Sequence, residues 1–207
     1  LDEDLALVKE WSDSMIQEPP YDQYYRYYHR YVGMDMGRKD HNALVFGFYD
    51  FKRASLFIED ELTMKGSDWT TITLKDAILE KENELWGPSH DGKVFKPFRR
   101  VADNNNPHLI MDLNSLHNVH FMETNKESLE AMVNEVRIMV GSGQLRIHPR
   151  CKMVIGCLKY GIWDAKRKEF SRNKVYGHFD HFAALMYLVR NLAKSTNPIP
   201  VDHGFAN

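Results

Sequence analysis

Tyr31-Val-Gly-Met-Asp-Met-Gly37 places one acid in the middle of an apolar run with the length and composition of a buried strand. Desolvating a carboxylate there without a partner costs several kcal/mol, so Asp35 calls for a cation or a tight pairing. A second apolar run, Ala43-Leu-Val-Phe-Gly-Phe-Tyr49, follows at once, and a third lies at 55–62. The polar links between them, Gly37-Arg-Lys-Asp-His-Asn42 and Lys52-Arg53, are too short for crossovers and predict antiparallel hairpins. Asp35 therefore falls on the first of three antiparallel strands, read as 31–36, 43–51 and 55–62.

Downstream the pattern changes to alternation. Residues 70–86 carry Ile72, Ala77, Ile78, Leu79 and Leu85 among charged positions, an amphipathic helix with Asp68 as a candidate cap and Gly87-Pro88 as its stop. Phe98-Arg-Arg-Val-Ala-Asp103 reads as a short strand ending in a carboxylate. Asn104-Asn-Asn-Pro107 then turns the chain, and Pro107 suits the first position of a helix through Leu116. Residues 119–122 form another short strand. Thr124-Asn-Lys-Glu127 has the capping-box pattern, opening a helix that carries Leu129, Met132, Val133, Val136, Ile138 and Met139 and closes at Gly141-Ser-Gly143. Such alternation requires crossover helices and parallel additions to the sheet. The expected fold is α/β, a mixed sheet of about five core strands, the first three antiparallel, with helices on both faces. Residues 144–175 are expected to add a β-hairpin region, with strand-like pieces at 144–148, 153–162 and 169–175 around Asp164-Ala-Lys-Arg-Lys168. A last helix is read over 178–193.

With 207 residues, 43% hydrophobic and 27% charged, the chain suits one globular domain with peripheral additions. The expected division is a polar, Tyr-rich leader or linker over 1–30, the domain over 31–194 and a tail over 195–207. The tyrosines from Tyr21 to Tyr31 could stack on bases, but covering the domain's edge is the simpler role. A net charge of −2 gives no global attraction to nucleic acid, so such binding needs a local patch. Cys151 and Cys157 fit neither a zinc knuckle nor a disulfide framework and read as reduced, buried thiols. No signal peptide or membrane-spanning apolar run is seen, which predicts a soluble, intracellular protein with no membrane partner. The start at Leu1 rather than Met predicts a fragment of a longer polypeptide.

Three acids stand where apolar segments begin or end: Asp35, Asp103 and Asp180, the last in Gly177-His-Phe-Asp-His-Phe-Ala-Ala-Leu-Met-Tyr187. They converge if the first and fourth strands are neighbours at the sheet's centre and the last helix packs Phe182, Leu185, Met186 and Val189 on it. Carboxylates with open positions for water and phosphate suit Mg²⁺ or Mn²⁺ rather than Zn²⁺. His178, beside Asp180, and Asp40, behind the first strand, are auxiliary candidates, with His181 a weaker one. Glu59, Asp60 and Glu61 read as solvent-facing edge charges. Residues 144–175 hold nine cations against Asp164 and Glu169. Lys159, Lys166, Arg167, Lys168, Arg172 and Lys174 are accordingly candidate contacts to a DNA backbone.

Taken together, several motifs make the chain resemble the nuclease domain of the large terminase subunit of tailed bacteriophages, a ribonuclease H-like fold. They are Tyr31-Val-Gly-Met-Asp35 with Gly37 and Asp40, Val101-Ala-Asp103 with Pro107, Asn125-Lys126, Gly143-Gln-Leu-Arg-Ile-His-Pro149, and Gly177-His-Phe-Asp180 with Ala183-Ala-Leu and Tyr187. The resemblance implies that Asp35, Asp103 and Asp180 are the catalytic, metal-binding triad, with Asp35 bridging two Mg²⁺ or Mn²⁺ ions. It further implies an endonuclease that cuts concatemeric viral DNA during genome packaging by phosphodiester hydrolysis. Double-stranded DNA, a terminase ATPase domain, a small terminase subunit and a portal protein are the implied partners, in the host cell cytoplasm. No Gly-x-x-x-x-Gly-Lys-Ser/Thr occurs, so the chain reads as the nuclease part alone. Two alternatives remain: another ribonuclease H-like nuclease, of the junction-resolvase or transposase type, and a non-catalytic module that docks on a portal.

Overall fold

The computed structural model describes residues 3–36, 41–65, 69–87 and 96–201; Asp40 and Asp68 lie outside them. Strand β1 (Arg30–Met36) pairs antiparallel with β2 (His41–Asp50), and β2 pairs antiparallel with β3 (Ser55–Lys65). Short links permit nothing else, as the sequence implied. Helix α1 (Thr71–Trp86) then carries the chain to β4 (Arg99–Ala102), which lies parallel to β1. Helix α2 (Pro107–Ser115) leads to β5 (Met122–Glu123), parallel to β4. Helix α3 (Leu129–Gly141) leads to β6 (Leu145–Ile147), parallel to β3. The result is a six-stranded mixed sheet in the order β5-β4-β1-β2-β3-β6, with β1 in its interior.

Alternation along β1 and β2 divides the core. Val32, Met34, Leu44 and Phe46 face Leu74 and Ile78 of α1 and Leu109 and Leu113 of α2. Tyr31, Ala43 and Val45 belong to the opposite cluster, which takes in the apolar faces of α3, α4 (Lys152–Tyr160) and α5 (Asp180–Arg190). In α5 every residue except Arg190 is buried, the behaviour of a helix apolar all round. It lies directly on β1 because Gly33 has no side chain: a Cβ there would stand 2.2 Å from the Ala184 carbonyl oxygen and 3.1 Å from the Leu188 Cβ.

Several local expectations are corrected. Residues 153–162, expected as a strand, are mostly α4, whose buried Val154, Cys157 and Leu158 follow helical spacing. Its first turn is capped from far away, because the Glu61 carboxylate accepts the Met153 and Val154 N–H groups, each at 2.8 Å. The added hairpin region reduces to isolated antiparallel bridges, Trp163 to Phe170 around the 164–168 turn and Asn173 to Gly177 after it, and residues 145–147 join the main sheet instead. Helix α3 is capped by Ser128, which accepts the Ala131 N–H, rather than by Thr124. Helix α1 is capped by Thr70 in a reciprocal pair with Thr73.

Glu59 and Asp60 are buried rather than edge charges. Glu59 accepts from Tyr25 Oη at 2.7 Å and Trp86 Nε1 at 2.8 Å, and Asp60 meets Lys81 Nζ at 2.9 Å. Residues 3–30, read as a leader, lie against the domain: Leu7, Val8 and Met15 enter the core, and Tyr24, Tyr25 and Tyr28 pack around Phe48. Cys151 and Cys157 are free and buried, as expected. Among the described residues no helix is long and apolar enough to cross a membrane.

Candidate active site

The parallel register that aligns Met34 with Ala102 brings the C-terminal ends of β1 and β4 side by side. Asp35 and Asp103 each come one residue later, so neighbouring backbones deliver two carboxylates to the same end of the sheet. The third arrives with α5, which begins at Asp180 and is held on β1 through Gly33. Phe179, just before it, is buried in the left-handed region at φ 60°, a strained setting for an aromatic residue that fixes where the helix starts.

Electrostatics tie the three together. Burial first, then the negative charges of Asp103 and Asp180, hold the Asp35 carboxyl well above the usual carboxylate range. The charge of Lys126 and a hydrogen bond from Tyr187 Oη to Asp35 Oδ1, 3.3 Å, work the other way. The phenol of Tyr187 is pushed upward by its burial and by the same acids. Asp103 is fully buried. Its Oδ1 accepts the Asn105 N–H at 3.2 Å, and its Oδ2 accepts both the Asn105 side-chain amide and Lys126 Nζ, the latter at 3.1 Å.

Asp35, Asp180, Lys126, Tyr187, His178 and Arg172 line a cleft of about 620 Å³, with Glu169 and Phe170 on its wall. Asp103, fully buried, is not among the residues that line it. The auxiliary candidate His178 therefore reaches the cleft, whereas His181 is buried and shares a 2.8 Å hydrogen bond with Thr63 Oγ1. The set of candidate DNA contacts is dispersed. Arg172 faces the cleft, and Lys166, Lys168 and Lys174 are exposed. Lys159 pairs with Asp13 at 3.2 Å, and Arg167 donates to the Asp4 carbonyl oxygen at 2.9 Å and covers the Trp163 ring. Lys126, Tyr187 and Asn105 are cleft residues to which the sequence reading gave no role. The available signal was position: Lys126 follows β5, the strand next to β4, so it arrives at the same end of the sheet.

Oxygen donors from three carboxylates match the preference of Mg²⁺ and Mn²⁺. Among the described residues, however, no three His, Cys, Asp or Glu side chains are already arranged to hold an ion, and the cation at Asp103 is the Lys126 ammonium.

No protein-family model and no curated protein matches the chain. Its fold matches the nuclease domains of bacteriophage large terminases. The ADP complex of a large terminase from a thermophilic bacteriophage superposes with a TM-score of 0.70 at 15% identity, over 91% of this chain and 46% of that one. This chain thus spans under half of that protein's length. The manganese-bound nuclease domain of the bacteriophage SPP1 large terminase gives 0.56 at 17% identity, over 84% and 93% of the two chains. The magnesium-bound large terminase nuclease of thermophilic phage G20c gives 0.60 at 18%, over 90% and 97%. At these identities the likeness is one of fold.

Proposed function

We propose that the chain is a metal-dependent DNA endonuclease, the nuclease part of a phage large terminase that cuts concatemeric viral DNA during packaging. The carrying observation is the cluster of Asp35, Asp103 and Asp180 at one end of the sheet, with Asp35 pushed toward its protonated form first by burial and then by the charges of the other two. A site that penalises its own negative charge in this way favours a cation. The SPP1 and G20c domains of like fold hold manganese and magnesium, which supports the same ions here.

Asp35, Asp103 and Asp180 would hold two Mg²⁺ or Mn²⁺ ions when substrate is present. Such ions, when bound, supply an activated water and neutralise the leaving oxygen of the phosphodiester. The chain's own groups do the rest. Tyr187 donates to Asp35 and fixes the carboxylate's orientation. His178 stands in the cleft to orient water or phosphate, and Arg172 faces the incoming backbone, with the exposed Lys166, Lys168 and Lys174 in the same segment. Double-stranded DNA is the substrate. An ATPase domain, a small terminase subunit and a portal protein complete the machine in the host cytoplasm.

The test is Mn²⁺-dependent nicking of supercoiled plasmid by the unmodified protein and by Asp35→Asn. Loss of nicking in a folded D35N chain is expected, and undiminished nicking would overturn the assignment. Absence of cleavage by the unmodified protein in Mn²⁺ would favour a non-catalytic portal-docking role.

A further inference from the structure

Lys126 joins two environments. Its side chain is 32% exposed on the cleft, yet Nζ lies 3.1 Å from Oδ2 of Asp103, whose own side chain is completely buried. Its Nζ lies 5.7 Å from the centre of the Tyr187 ring, and its charge reaches Asp35 as well. A buried carboxylate cannot give up a cationic neighbour without replacement, because an uncompensated buried charge is strongly destabilising. A divalent ion at Asp103 Oδ2 would have to share that oxygen with the ammonium, and two cations on one oxygen repel strongly in a low-dielectric site. Lysine's compact ammonium on a flexible stem can turn outward, and an anion arriving in the cleft gives it a new partner.

We propose that Lys126 is an internal counter-cation, holding Asp103 in the metal-free chain and drawn off by a DNA phosphate, so that divalent metal and DNA bind cooperatively. The inference rests on the metal-dependent nuclease reading above. By linkage the coupling is reciprocal: DNA tightens metal binding, and metal tightens DNA binding. The free domain then holds metal weakly, and the site assembles when its substrate is present.

The experiment is a Mn²⁺ titration, followed by electron paramagnetic resonance, of wild type, Lys126→Gln and Lys126→Arg, each with and without a short phosphorothioate duplex. Wild type should bind Mn²⁺ about tenfold more tightly with the duplex than without it, a change of ordinary allosteric size. Without duplex, K126Q should bind about tenfold more tightly than wild type and gain little further from DNA, while K126R should follow wild type. K126Q should also melt lower than wild type in EDTA and recover more on adding Mn²⁺. K126Q that binds Mn²⁺ no better than wild type, or stays unfolded with Mn²⁺ present, overturns the inference alone. Wild type that binds no Mn²⁺ with or without DNA overturns the nuclease reading and the inference together.

Discussion

Gly33→Ala should separate the active site from itself with one methyl group. The added Cβ would stand 2.2 Å from the Ala184 carbonyl oxygen and 3.1 Å from the Leu188 Cβ, where real Cβ contacts do not fall below 3.0 Å. Neither neighbour is the free tip of a side chain, so α5 must retreat from β1 by roughly 0.8 Å, because repulsion rises steeply inside van der Waals contact. Forced overpacking costs about 1–3 kcal/mol. For a chain of this size each kcal/mol lowers Tm by about 2–4 °C, so G33A should melt about 2–12 °C below wild type. Asp180 opens α5 and travels with it, away from Asp35 on β1. Misplacing a catalytic group by about 1 Å can cost about 100-fold in rate. Scanning calorimetry gives the first number, and Mn²⁺-dependent nicking measured well below the melting temperature gives the second. Wild-type melting would refute the close approach of helix and strand. Reduced melting with undiminished nicking would refute the claim that Gly33 registers Asp180 to Asp35.

Other expectations follow from the charges. Folded Asp35 keeps its proton at pH values where the unfolded chain has lost it, so its contribution to stability falls as pH rises from the ordinary carboxylate range through the raised folded value. In EDTA, D35N should therefore melt above wild type at neutral pH, and the gap should close near pH 4, about the unperturbed value for aspartate. Arg100 and Glu82 form a buried two-pronged ion pair, Nη2 to Oε2 at 2.7 Å, that ties β4 to α1. Glu82→Gln leaves Arg100 short of its charge partner and should cost about 3–5 kcal/mol in chemical denaturation, whereas replacing both by apolar residues should recover most of it. Lys166→Glu with Lys168→Glu should weaken DNA binding and reduce the slope of log affinity against log salt by about 0.9 for each phosphate left unneutralised; an unchanged slope would remove the 164–168 turn from the interface.

What could be read from the sequence was whatever local pattern determines. The acid inside an apolar strand marked β1, short links forced the hairpins, and alternation called for parallel additions, but that β4 lies beside β1 and so sets Asp103 next to Asp35 is a finding of the fold. Helix α4 was missed because Met153-Val-Ile-Gly-Cys-Leu158 is too short an apolar run for periodicity to separate helix from strand. Its cap, Glu61, also lies far away in the chain. Without β6 beside β3, Glu59 and Asp60 looked like edge charges; in the fold Tyr25, Trp86 and Lys81 surround them. A charge count along the chain likewise credited Lys159 and Arg167 to a basic patch, whereas Asp13 and the Asp4 carbonyl of the N-terminal segment take them. The partnership of Lys126 with Asp103 was invisible for a related reason, since it exists only through the parallel pairing of β4 and β5.

The most direct measurement is anomalous diffraction from crystals of the chain with a short phosphorothioate duplex, soaked in Mn²⁺. Manganese should appear at Asp35 with ligand oxygens from Asp103 and Asp180 as well, at the roughly 2.0–2.6 Å typical of hard cations on oxygen, and with the Lys126 ammonium moved off Asp103. Manganese bound elsewhere, in a protein that still nicks DNA, would contradict the three-aspartate centre.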